Sequence, residues 1–71
     1  MPRRPRSRRQ AVNRLPAHYR AVIYLFYYEG YQASEIGEIL VIPTATVHTR
    51  LVRGRTRLKD LLGGYGYEQT V

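Results

Sequence analysis

Val47, Leu51, Gly54, Leu58 and Leu61 recur at spacings of 4, 3, 4 and 3. That rhythm belongs to a helix that buries one stripe against a neighbour. No segment alternates apolar and polar residues in the two-residue period of a half-buried strand. The stripe must therefore be covered by other helices. The chain has 71 residues to supply them, enough for one small domain. It contains no Cys, so no disulfide supports the core and no thiolate serves as nucleophile or zinc ligand. A core this small then depends on efficient helix packing or on a partner. The fold class is all-α, a small helical domain of three to four helices.

Prolines and glycines divide the chain. A short helix begins near Ser7, its expected N-cap, with Val12 and Leu15 on one face. Pro16 stops it and opens the next helix, because a first-turn proline loses no hydrogen bond. Leu15, Tyr19, Val22, Ile23 and Phe26 form the apolar stripe of that second helix, which runs to about Tyr28 before Gly30. Tyr24, Tyr27 and Tyr28 lie partly off the stripe. A third helix leads to Leu40, with Ile36, Ile39 and Leu40 as its apolar face and Glu35 and Glu38 suiting its dipole. Pro43 breaks it. Thr44 is the expected cap of the last helix, which runs to about Leu62 before Gly63 and Gly64. Residues 1–10 read as a basic disordered arm or linker remnant, 11–62 as the helical domain and 63–71 as a flexible tail.

Charge is unevenly placed. The net charge is +7. Residues 1–10 contribute +5 through Arg3, Arg4, Arg6, Arg8 and Arg9. Arg50, Arg53, Arg55, Arg57 and Lys59 crowd one part of the last helix. Two basic clusters on a small chain point to a polyanion, with a solvated basic face as the bland alternative. The N-terminal arginines either steer the domain toward DNA without specificity or are only a linker remnant. No apolar run is long enough to cross a bilayer. The first ten residues lack the apolar core of a secretory signal. The cytoplasm is the expected location, and no cofactor is implied.

A short helix, a brief break and a longer helix with a basic polar face make a helix-turn-helix, here without a strand-built wing. In that arrangement the first helix braces across the phosphate backbone and the second lies in the major groove. The second must bury one stripe and offer small polar and basic groups opposite it. Val47 and Leu51 bury, while Ala45, Thr46, His48, Thr49, Val52 and Arg53 face outward.

The residues go further than this pattern. Leu15-Pro16, Tyr19-Arg20, Glu29-Gly30-Tyr31, Glu35-Ile36, Glu38-Ile39-Leu40, Ile42-Pro43, Thr46-Val47, Arg50-Leu51 and the Arg53-x-Arg55 pair before Leu58 stand in one register. From Leu15 to Leu62 the chain closely resembles region 4 of bacterial sigma-70 family sigma factors, especially the extracytoplasmic-function type.

The resemblance implies a four-helix unit that recognises double-stranded promoter DNA at the −35 element and docks on the flap of the RNA polymerase β subunit. Matching positions suggest His48, Thr49, Val52 and Arg53 for base edges or nearby contacts. They suggest Thr46, Arg50, Arg55 and Arg57 for phosphates, with Ala33 and Ser34 where the bracing helix meets the backbone. Tyr24 and Tyr27 are candidates for the polymerase contact. An anti-sigma factor is a further expected partner, and a monomer the expected state.

The sequence departs from the family pattern at several positions. Val41 replaces a small or polar turn residue, and Ala45 stands where Gly is frequent. His48 and Thr49 stand where a basic residue and Ser are common. Gly54 replaces Ala at a helix-propensity cost of about 1 kcal/mol. Gln32 stands at a usual Ser or Thr cap, so the capping box to Glu35 is expected to be broken. Nothing resembles the sigma region that binds the −10 element. The chain is then a fragment of a longer sigma factor or a stand-alone region 4-like regulator, and its last residues look like a natural end.

Other readings are weaker. His18 and His48 are far apart with no Cys between them, so no metal site is expected. The run GGYGY lacks the features of a phosphate loop. No nucleophile–base pair suggests an enzyme. A polymerase or anti-sigma interaction module with incidental DNA affinity is the main alternative. A LuxR-type helix-turn-helix fits the Leu15-Pro16 and Glu29-Gly30-Tyr31 runs less well.

Overall fold

The computed structural model describes residues 8–62. The expected Ser7 cap, most of the arm and the whole tail, with Gly63 and Gly64, lie outside them. Four α-helices follow in chain order: α1 (Arg8–Asn13), α2 (Ala17–Ile23), α3 (Ala33–Leu40) and α4 (Thr44–Leu61). A π-helical segment, Tyr24–Tyr28, continues α2. No strand occurs among the described residues.

Local chemistry sets each boundary. The amides of Arg14 and Leu15 donate to Ala11 and Val12 carbonyls at 3.0 Å, tightening the last turn of α1. Pro16 then takes an extended conformation, and its carbonyl accepts from Tyr19 and Arg20 at the start of α2. After Ile23 the ladder widens. Glu29 N–H donates to Tyr24 carbonyl, a five-residue step, at 3.1 Å. Gly30 turns the chain at φ +80°, where a Cβ would be strained.

This wider turn corrects one expectation. The second helix does reach Tyr28, but not as uniform α-helix. The extra residue in its last turn rotates Phe26 off the apolar stripe, leaving that ring 37% exposed.

The start of α3 corrects another. The capping box is closed, because Gln32 occupies the cap position and Glu35 Oε1 accepts from its N–H at 2.8 Å. Ile39 is 48% exposed and is not part of the buried face. The face consists of Ala33, Ile36, Gly37 and Leu40. Gly37 marks its centre because α3 meets the next turn there. A Cβ on it would stand 2.8 Å from the Ile42 carbonyl oxygen.

Val41 ends α3 in the left-handed region at φ 57°, ψ 52°. The amides of Val41 and Ile42 both donate to the Gly37 carbonyl. Pro43, extended at φ −60°, is the N-cap of α4, and Thr44 is its first helical residue, not its cap. The Pro43 carbonyl accepts from Val47 N–H at 3.1 Å.

The core lies around α4, against which α1, α2 and α3 all pack. Ala11, Val12, Leu15, Val22, Ile23, Ile36, Val47, Leu51 and Leu58 are buried. No polar or charged side chain is buried among the described residues. Gly54 brings α4 close to α2. A Cβ there would stand 3.0 Å from Ile23 Cγ1 and 3.5 Å from Tyr19 Cβ. The propensity lost at Gly54 is thus linked to a close helix crossing.

Candidate nucleic-acid interface

The buried stripe of α4 fixes what the helix presents outward. Val47, Leu51, Gly54 and Leu58 are buried. Ala45, Thr49, Val52 and Thr56 keep the same spacing, two residues earlier, and all four are exposed. Two residues correspond to about 200° of rotation, so the second stripe runs along the opposite face. His48 and Arg53, both exposed, flank that face on its two sides. Thr46 and Arg50 are half-buried on the shoulder of the helix next to Arg53.

The outward threonines have defined hydroxyls. Thr49 Oγ1 donates to the Ala45 carbonyl at 3.1 Å, and Thr56 Oγ1 to the Val52 carbonyl at 3.1 Å. Their donor capacity is taken by the backbone, leaving a methyl and an acceptor oxygen for contacts. Val52 is 55% exposed and belongs to the same outward strip.

Arg55 and Arg57 lie on opposite shoulders of α4, and each meets a tyrosine from the segment beneath. Arg55 Nη1 donates to the Tyr27 hydroxyl oxygen at 3.1 Å. The Arg57 guanidinium carbon lies 5.4 Å from the centroid of the Tyr19 ring. Arg53 and Arg57 also line one open cleft of about 390 Å³ with Tyr19, Thr56 and Asp60. The structure therefore brings Arg53 and Arg57 together and holds Arg55 apart from them.

The remaining candidates sit elsewhere. Ala33 and Ser34 open α3, where Ala33 packs partly against the core and Ser34 is exposed. Tyr24 does not accompany Tyr27 toward α4. Its ring meets that of Tyr28 at 5.4 Å, and Arg9 lies 5.3 Å over Tyr28. Sequence reasoning missed Thr56, although its spacing of seven from Thr49 could have revealed it. It also missed the tyrosine–arginine pairs, which join elements distant in sequence and leave no local signal.

This is a helix-turn-helix whose second helix is exposed, basic at its edges and small in the middle. The family model for sigma-70, region 4 matches residues 8–58. The chain belongs to the sigma-70 region 4 family. As a region 4 domain it is 49% identical over 53 residues to the ECF RNA polymerase sigma factor SigW of Bacillus subtilis, covering 75% of this chain and 28% of that protein. It is 38% identical over 58 residues to the ECF RNA polymerase sigma factor SigE of Mycolicibacterium smegmatis, covering 82% and 23%. It is 38% identical over 56 residues to the RNA polymerase sigma factor SigZ of Bacillus subtilis, covering 79% and 32%. The chain thus spans between 23% and 32% of the length of these relatives. No solved structure shows significant similarity to it. No described helix is long and apolar enough to cross a membrane.

Proposed function

We propose that the chain is a promoter-reading domain of a sigma factor, recognising the −35 element with α4 in the major groove. The observation that carries this reading is the outward face of α4. That face is exposed and narrow in the middle, with His48 and Arg53 at its edges and arginines on both shoulders. A major groove admits one such helix, and its phosphates line both sides. Thr46, Arg50, Arg55 and Arg57 hold phosphates, helped by the start of α3 at Ala33 and Ser34. His48, Thr49, Val52 and Arg53 meet base edges. Phosphate contacts position the helix and base contacts give sequence preference.

The domain also docks on the β-subunit flap of RNA polymerase. The exposed rings of Tyr24, Phe26, Tyr27 and Tyr28 favour that contact, since aromatic residues are enriched at protein interfaces. The same surface supports the second reading, a polymerase or anti-sigma interaction module whose DNA affinity is incidental. The domain acts in the cytoplasm as a monomer, one part of the initiating polymerase.

Binding to a selected duplex and to random duplexes tests the reading. Arg53→Ala should weaken binding to the selected site by about tenfold or more and relax its sequence preference. Arg57→Ala should weaken binding to both kinds of DNA alike and reduce the slope of affinity against salt by about 1. Equal affinity of the unaltered chain for selected and random DNA would favour the interaction-module reading instead.

A further inference from the structure

Arg55 and Arg57 flank the outward face of α4, and neither is paired with a carboxylate in its described contact. Each meets a neutral tyrosine, through the phenol oxygen at 3.1 Å in one case and the ring face at 5.4 Å in the other. We infer that Tyr27 and Tyr19 are positioning residues that hold Arg55 and Arg57 in place for DNA phosphates. The inference rests on the DNA-binding reading above and adds two residues to it.

The chemistry of the pairing supports it. A free arginine on a helix surface samples many rotamers, and ordering one such side chain at an interface weakens binding. A partner that restrains the guanidinium beforehand removes part of that cost. A carboxylate would also restrain it, but would cancel the charge that attracts a phosphate. Tyrosine restrains without neutralising. The Tyr27 hydroxyl occupies one of five guanidinium N–H donors and leaves the others for an oxyanion. A ring face leaves every N–H edge open. The two arginines lie about 200° apart around α4, one beside each wall of a groove that the helix enters. Tyr27 comes from the π-helical segment and Tyr19 from α2, so one continuous helix supports both shoulders.

The test is a double-mutant cycle on the full chain. Affinity for a duplex is measured at several salt concentrations for the unaltered chain, Tyr27→Phe, Arg55→Ala and the double variant. Tyr27→Phe keeps the exposed ring and deletes only the hydroxyl. It should weaken binding by about two- to fivefold, with the salt slope unchanged because no charge is lost. Arg55→Ala should weaken binding and lower the slope by about 0.9. Adding Tyr27→Phe to Arg55→Ala should then have no further effect. In the second pair, Tyr19→Leu should weaken binding and Tyr19→Phe should restore it, because the ring face and not the hydroxyl meets Arg57.

Independent effects of Tyr27→Phe and Arg55→Ala would overturn the inference. So would Tyr27→Phe binding as tightly as the unaltered chain, or Tyr19→Phe behaving like Tyr19→Leu. Those results leave the DNA-binding reading intact provided the unaltered chain binds. Failure of the unaltered chain to bind any duplex overturns both.

Discussion

Val41 occupies a backbone conformation that suits it badly. Its φ of 57° places a β-branched side chain in the left-handed region, which glycine enters without steric cost. The side chain is 87% exposed, so it returns little packing energy for that strain. Val41→Gly is expected to stabilise the domain by about 1 kcal/mol. In a domain of this size that is a rise of about 4–8 °C in Tm, read by thermal circular dichroism. An unchanged or lower Tm would mean that the valine makes a compensating contribution. The oddity of Val41 was legible in the sequence as a departure from a small or polar turn residue. Its cause, the left-handed turn closed on the Gly37 carbonyl, required the structure.

At the scale of elements, the two misplaced apolar residues have separate causes. Phe26 follows Ile23 at a spacing that a regular helix would keep on one stripe. The π-helical turn adds a residue there and rotates it outward. Hydropathy alone places Ile39 inward. The buried face of α3 centres on Gly37, a residue with no side chain to announce burial. The stripe of α4 was fully legible from Val47 to Leu58, because eighteen residues of helix average out such local accidents. The start of α3 caps without a Ser or Thr. Glu35 still closes the box on Gln32 N–H at 2.8 Å even though the cap is not Ser or Thr. Glu35→Ala should therefore cost about 0.5–1 kcal/mol. Faster amide exchange at Gln32 and a lower urea midpoint would show it, whereas unchanged exchange would mean the bond is not formed in solution.

The whole molecule is a small core arranged around one helix. Ile36 is 0% exposed and belongs to the shared core, where α3 packs on α4. Ile36→Ala should cost about 2–5 kcal/mol. A core of this size rarely supplies more than about 3–5 kcal/mol in total. The variant should therefore be largely unfolded at 37 °C by circular dichroism, and retention of a cooperative transition near the original Tm would contradict that packing. The family was legible because its markers keep one register through α2, α3 and α4. The contacts around the candidate site were less legible, since side chains there meet across elements, as Tyr27 and Arg55 do.

In the proposed docking, α4 enters the DNA groove with the start of α3 bracing beside it. An amide-resolved NMR titration of the chain with a short duplex at moderate salt tests that most directly. Shifts should concentrate at residues 33–35 and 44–57 and grow as salt is lowered. Shifts confined to residues 3–9 would rule that docking out, leaving DNA contact to the arginine arm and the start of α1 and moving the function of α3 and α4 to protein partners.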